Sequence, residues 1–560
     1  MSTDAAGGGA SDSGAAGAGG GAGDPGAAGG GGLPIYTRNA TGLVREVSLL
    51  DHLIFNFTSA TALVSGLVVT SFVIAVFPRA NYLVALALAL VLSLGLWTCI
   101  ALLTATLPKV GGDYVFNSRI LHPAIGFAFN LCVVAISPLT AGLVAGFMAT
   151  LGLSPAFSAI ATVTGSERFA DWATYFTFPH KNVVFVVGTI GVLLVSVLAA
   201  LGTRILIRVM TILVLIFAAS AIIDLLILLF TSQSSFVSTY NDLAGPGAYE
   251  KVVEAGAGSG LYPSDGGHST KSTFGALFFA ITIVTYCFWG MYMSGEVRRA
   301  GQRDRMLKSF LGAGVIQALS LMIAWVLLLN TVGRDFFISA TAGNIETGIA
   351  SFPFFAALVA NQDIIVVVLS LAFTLWIIPG ININMAIIQR GLFAYAFDGL
   401  LPRKVASVHP RTHTPVVAIA IVAVLCEVGV ALYAYWADII TIVTIIGYFP
   451  FVALFVVGIS AMVMERRRPD IYKGSPADWR PGGLPMLAIS GFLTSALAAL
   501  AIFLVFYFQD ETGLASHPWW AAFGPALVVG VGILWWYAAR AIRRREGVDL
   551  DLLYRTIPPD

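Results

Sequence analysis

Residues 51 to 77 read DHLIFNFTSATALVSGLVVTSFVIAVF. Beyond Asp51 and His52 no ionisable side chain interrupts the run. At about 1.5 Å per helical residue it is long enough to cross a hydrocarbon core about 30 Å thick. Eleven further runs of crossing length follow, at 81–106, 124–151, 182–201, 206–231, 273–295, 308–331, 363–388, 415–434, 438–463, 485–508 and 519–541. The pattern predicts an all-α polytopic membrane protein with 12 transmembrane helices, numbered here as spans 1 to 12.

The charges between the spans support the count. Of 31 basic residues, 25 fall on one face if the chain crosses twelve times; the other face keeps Arg79, Arg168, Lys181, Lys251, Lys271 and Arg334. The positive-inside rule makes the basic face cytoplasmic, with both termini there, and the expected location is the plasma membrane. A composition of 58% hydrophobic and 11% charged residues with a net charge of +1 excludes a soluble globule, and no basic patch invites nucleic acid. Cys99, Cys132, Cys287 and Cys426 all lie within apolar runs, so neither a disulfide framework nor a metal-ligand spacing is expected; they read as small core residues. No segment is large enough for a catalytic domain, so the chain is read as no enzyme, with no cofactor, a lipid bilayer and a small-molecule substrate as partners, and no obligatory protein partner.

Residues 1–34, nearly all Gly, Ala, Ser and Asp, read as a disordered tail. Spans 1–5 (35–231) and spans 6–10 (273–463) can be superposed with opposite topology, because five is odd. A loop at 232–272 separates them, spans 11 and 12 (464–541) are peripheral, and 542–560 form a tail. The connections at 152–181, 232–272 and 332–362 are the long ones on the less basic face, and 109–123 is their counterpart on the basic face. Inverted repeats of this kind place a site at mid-depth, where the first helix of each repeat is interrupted.

Polar residues mark where those interruptions fall. Span 1 bunches Asn56, Thr58, Ser59, Thr61 and Ser65, hydroxyls and amides that satisfy backbone freed by unwinding. Span 6 reads TYCFWGMYMSGE, with Gly290 beside Trp289; a glycine among aromatics lets backbone open toward a ligand while rings cover it. In span 8 (WIIPGININM), Pro379 and Gly380 break the ladder, and Asn382 and Asn384 place amides inside the membrane. Asn130 on span 3 is a weaker candidate of the same kind. Asp224 on span 5 and Glu427 on span 9 lack a cation within their spans and are candidates for ion coupling.

From Gln389 the chain reads QRGLFAYAFDGLLPRKVASVHPRTHTP, and here it resembles the amino acid, polyamine and organocation (APC) superfamily. Arg390, Asp398, Gly399, Pro402, Thr414 and Pro415 fill that pattern. LPKVGGDYVFNSRILHPAIGF (107–127, with Gly111, Gly112 and Tyr114), FWGMYMSGEVRRAGQR (288–303, with Glu296) and RRRPDIY (466–472) are similar to further motifs of the superfamily in the same order. Gly111, Gly112, Tyr114, Glu296, Arg390 and Asp398 are read as fold and gating residues.

The resemblance implies a LeuT-like 5+5 inverted repeat and secondary transport of an amino acid, as an amino acid permease. It carries the substrate carboxylate to Thr58, Ser59, Ala60 and Thr61, and the ammonium to Tyr286, Phe288, Trp289 and Gly290. Two departures stand out. Span 1 has Thr-Ser-Ala-Thr-Ala in place of a Gly-x-Gly break, and span 5 has Phe217 where some proton-coupled members carry Lys. The coupling ion is left as H+ or Na+. Competing readings are a polyamine, nucleobase-like or K+ cargo on the same fold, and a transporter-derived sensor or channel.

Overall fold

The computed structural model describes residues 45–59, 73–74, 76–262, 267–344, 352–360, 363–412, 414–436, 439–516 and 518–555. These residues are helical apart from their connections and one parallel bridge, Val47 to Val297. In chain order the helices are α1 (Leu49–Ser59), α2 (Tyr82–Thr106), α3 (Asp113–Ile120), α4 (Pro123–Phe147), α5 (Ser154–Thr164), α6 (Glu167–Tyr175), α7 (Lys181–Leu201), α8 (Thr203–Phe230), α9 (Gln233–Ala244), α10 (Ala248–Gly258) and α11 (Thr270–Thr285). Then come α12 (Arg303–Val332), α13 (Arg334–Thr341), α14 (Phe352–Ala360), α15 (Asp363–Leu375), α16 (Ile377–Phe397), α17 (Val416–Tyr435), α18 (Ile439–Arg467), α19 (Pro469–Tyr472), α20 (Met486–Tyr507), α21 (Pro518–Arg545) and α22 (Leu550–Arg555).

Among the described residues eleven helices are long and apolar enough to cross a membrane. They correspond to spans 2 to 12. Span 1 is described only as α1 and residues 73–74 and 76–77; its middle, with Ala60, Thr61 and Ser65, lies outside the described residues, as does the side chain of Ser59.

Three loops expected on the less basic face carry helices. Span 3 runs on through a π-helical segment, Met148–Leu153, into α5, which ends at Gly165 in the left-handed conformation (φ 64°) that glycine accepts without strain. Loop 232–272 contains α9 and α10, and loop 332–362 contains α13 and α14. Tyr249 of α10 stacks on Phe336 of α13 with centroids 4.6 Å apart and donates to the Val332 carbonyl at 3.0 Å, which ties the two loops together.

Between apolar helices in lipid, close packing replaces the hydrophobic drive, and small residues permit it. Helices α4 and α17 meet backbone to backbone: a Cβ on Gly142 would lie 2.1 Å from the Gly429 carbonyl carbon, and one on Gly429 2.4 Å from the Pro138 oxygen. Gly458 of α18 packs as tightly on Ser495 and Gly491 of α20, and Gly532 of α21 on Ala128 of α4. Trp519, Trp535 and Tyr537 are exposed, as an interfacial belt requires, but Trp536 is buried with its ring edge-on to His122. All four cysteines are free and buried.

Candidate functional site

The sixth crossing is broken. Helix α11 stops at Thr285, residues 286–288 turn, and a 3-10 segment resumes over Trp289–Glu296. Backbone released at such a break needs partners, and side chains of three neighbours supply them. Trp97 of α2 donates to the Thr285 carbonyl (3.2 Å), and Gln317 of α12 donates to that of Ile283 (2.7 Å). From α1, Asn56 Oδ1 accepts the Gly290 N–H (2.8 Å) and His52 Nε2 lies 3.0 Å from the Gly290 oxygen. A carbonyl only accepts, so Nε2 carries the proton; Nδ1 then accepts from Ser309 Oγ at 2.8 Å, and Ser309 Oγ accepts from Asn56 Nδ2 at 3.2 Å. Gly290 is what allows this approach: a Cβ there would fall 2.4 Å from Asn56 Oδ1 and 2.6 Å from His52 Nε2.

Gly290 therefore faces α1 and ties the broken sixth crossing to it. Tyr286 turns the other way, donating to the Gly447 carbonyl of α18 at 2.6 Å, while Phe288 and Trp289 stack beside it with centroids 4.3 Å apart. Sequence reasoning located the break but missed the residues that satisfy it. A histidine in span 1 and a glutamine in span 7 were the available signals.

A cavity of about 50 Å3 lies against α1, reached from the sixth crossing by Met293 of the 3-10 segment. Its walls are three stripes at helical spacing: Asp51, Ile54, Phe55 and Thr58 from α1; Leu206, Met210 and Val214 from α8; Pro379, Asn382, Ala386 and Arg390 from α16. From Arg390 to Pro379 the cavity runs about 16 Å along α16, roughly half the hydrocarbon thickness. Thr58 and Asn382, both expected at the site, share this cavity. Asn384 does not: its amide donates to the Gly380 carbonyl of its own helix at 3.0 Å.

Above the cavity an aromatic group closes α1, α8 and span 8 on one another. Trp376 packs on Phe217 (4.1 Å between centroids) and edge-on to Phe57 (6.4 Å). Span 8 is interrupted at Trp376, between α15 and α16, one residue earlier than Ile377 and ahead of Pro379. Pro379 has no N–H to give the carbonyl of Leu375, four residues back, where α15 ends, so the ladder is interrupted as the proline requires while the backbone at Trp376 stays helical (φ −61°, ψ −26°). Helix α16 continues unbroken to Phe397.

At the basic end of the cavity Glu296 binds Arg390 through two bonds, Nε to Oε1 at 2.8 Å and Nη2 to Oε2 at 3.1 Å. The same segment exchanges backbone bonds with the entry to α1: Val47 N–H to the Glu296 oxygen (3.0 Å) and Arg298 N–H to the Val47 oxygen (2.9 Å). Glu296 and Arg390, both read from the sequence as fold and gating residues, are thus each other's partners.

Deeper in the connection between spans 2 and 3, the buried Arg119 of α3 holds Asp398 at 2.7 Å, and Tyr114 donates to the same carboxylate at 2.7 Å. Tyr554 of α22 meets Tyr114 (2.8 Å between hydroxyl oxygens) and lies under the Arg119 guanidinium, 4.6 Å from ring to Cζ. Gly111 (φ 116°) and Gly112 (φ 54°) turn the chain into α3, and a Cβ on Gly112 would lie 3.0 Å from the Tyr292 ring.

Of the expected residues described, Tyr286, Phe288, Trp289 and Gly290 do not line the cavity, and neither do Asn130, Glu427 and Asp224. Asn130 is fully buried, donating to Asp113 Oδ1 (2.9 Å) and Tyr292 Oη (2.6 Å) and accepting from Tyr395, so its amide is spent on protein groups and not on a solute. Glu427 is half-buried on α17 and accepts from Thr189 of α7 at 2.7 Å, at an interface remote from the break. Asp224 is buried on α8, with Oδ1 lacking a hydrogen-bond partner among the described residues.

A family model described as amino acid permease matches residues 55–533, from within α1 to the middle of α21. No curated protein is matched by the chain. With a broken sixth crossing and a match over most of its length, this chain belongs to the amino acid permeases of the APC superfamily.

Proposed function

We propose that this permease is a secondary transporter that moves an amino acid or a related small amine-bearing solute across the plasma membrane by alternating access, with its basic face and both termini in the cytoplasm. The observation that carries the reading is the break at residues 286–288. It lies about 24 Å from the start of α11 and about 16 Å from the end of the 3-10 segment, near mid-depth. A helix interrupted inside a membrane is tolerated where it lines a cavity or a binding site, and interrupted helices are how secondary transporters grip ions and zwitterions.

Further support comes from connections at matching places in a 5+5 repeat. Helix α3 joins spans 2 and 3, and α13 joins spans 7 and 8. The cavity along Asp51, Thr58, Asn382 and Arg390 is read as the inner half of the pathway, and the Glu296–Arg390 pair as its gate. The solute sits against the break, beside Phe288 and Trp289, and H+ or Na+ supplies the driving force.

Counterflow in proteoliposomes tests this. Vesicles loaded with each proteinogenic amino acid in turn are diluted into trace labelled amino acid, with spermidine, adenine and K+ as competing cargoes in parallel. Transient accumulation of a labelled amino acid is the expected result. Accumulation of only a competing cargo replaces the amino acid reading, and binding without counterflow replaces the carrier reading with a sensor.

A further inference from the structure

Asp113 opens α3 and is buried to 1% exposure. Its Oδ1 accepts from Tyr292 of the broken sixth crossing (2.5 Å) and from Asn130 of α4 (2.9 Å), while Oδ2 has no hydrogen-bond partner among the described residues. Four elements therefore converge on one carboxyl group, because Tyr395 of α16 closes the cluster by donating to Asn130. The loop just before it is clamped to the same crossing: Ser294 donates to the Lys109 carbonyl at 2.9 Å, and a Cβ on Gly295 would lie 2.9 Å from the Val110 nitrogen.

The groups facing Asp113 are acids or neutral. They are Tyr292 from the sixth crossing, Asn130 and Cys132 from α4, and Tyr395 from α16, with Tyr448 of α18 behind Cys132. On α3 itself, Tyr114 and Arg119 point to Asp398 and to Tyr554 of α22. Among the described residues no cation compensates a charge on Asp113. A carboxylate with one oxygen unsatisfied in a dry interior is far costlier than a neutral carboxyl with one unpaired O–H. Against this, the N-terminal turn of α3 favours the anion. Burial wins and pushes the carboxyl up to about 6, with the Tyr292 and Asn130 bonds pulling the other way.

We propose that Asp113 is a proton-binding site built into the basic-face gate: it holds a proton in the arrangement described here and releases it to water on the basic side when the sixth crossing and α3 part. The proton comes from and returns to that solution, so acid on the basic side holds the gate shut. This rests on the transport reading above, and its test separates the two.

Full-length protein in lipid nanodiscs is titrated by infrared difference spectroscopy with isotope-labelled aspartate, which needs no substrate. A protonated-carboxyl band with a midpoint near pH 6 is expected, absent in Asp113→Asn. In Tyr292→Phe the midpoint should rise, because a bond to the charged form is removed; this variant keeps the test intact if Asp113→Asn fails to fold. In counterflow of the proteinogenic amino acids, lowering the pH on the basic side from about 7.5 to about 5.5 should slow exchange about fourfold in the unaltered protein and leave the Asp113→Asn rate ratio flat. A band that survives in Asp113→Asn, a Tyr292→Phe midpoint that does not move, or a pH ratio that persists in Asp113→Asn overturns the proposal. Absence of any counterflow overturns the transport reading, while the infrared arms still decide the proton site.

Discussion

Glu296 and Arg390 lie at the ends of two different broken crossings and are joined by a two-bond charge pair at 2.8 and 3.1 Å. The carboxylate is nearly inaccessible and the guanidinium only slightly exposed, so screening by salt is weak. A pair of this kind stabilises whichever state brings the two residues together.

Glu296→Gln should therefore shift the gate toward opening on the basic side, by on the order of 2–3 kcal/mol, the worth of hydrogen bonds to a charged group. Thiol labelling of a cysteine placed at Asn382, in the cavity behind the pair, should accelerate at least tenfold. Exchanging the two residues, Glu296→Arg with Arg390→Glu, should recover part of the original rate.

Arg119 and Asp398 are both buried, and removing one leaves the other uncompensated. Asp398→Ala is expected to destabilise the fold by about 3–5 kcal/mol. Tyr554→Phe removes one hydroxyl from the same cluster and should cost about 1 kcal/mol. Thermal unfolding in detergent, followed by intrinsic fluorescence, ranks the two.

The contact of α4 with α17 leaves no space for a methyl group at Gly142 or Gly429. Gly429→Ala should lower stability by about 1–3 kcal/mol through forced separation of the helices. Gly258→Ala is the control: it is helical with nothing within 4 Å of the new Cβ, and should be neutral or stabilising by up to about 1 kcal/mol.

Asp113 gives a pH signature with a fixed sign. Its carboxyl is raised from 3.8 to about 6 in the folded chain, so the fold binds the proton more tightly than the unfolded chain. Stability is then lost as pH rises from about 4 through about 6, up to about 3 kcal/mol. Asp113→Asn has no such loss, so its melting temperature should exceed that of the unaltered protein above about pH 6, and the two should converge below about pH 4.

The sequence carried the crossings plainly, because each is a separate run with its own hydropathy and the basic residues alternate between them. It also marked the sixth crossing for a break, since glycine among aromatics at mid-depth is a poor helix interior. What stayed hidden was pairing. His52, Ser309 and Gln317 are separated from their partners by 30 residues or more, and nothing local reveals that they satisfy a break elsewhere. Distance also hid Tyr292, 162 residues from Asn130, as one of the groups to which that amide donates. Pro379 was legible for a local reason: it has no N–H to give the Leu375 carbonyl, where α15 ends.

Alternating access makes one demand that no channel or rigid sensor meets: a residue in the inner pathway is reached from one side at a time. All four native cysteines are buried, so a single cysteine at Asn382 reports cleanly once their silence is checked. In oriented vesicles, Asn382→Cys should react with a membrane-impermeant thiol reagent from the basic face, not simultaneously from the other, and at a rate changed by a transported amino acid. Equal reaction from both faces at once, or a rate indifferent to every amino acid that the protein exchanges, would contradict the account.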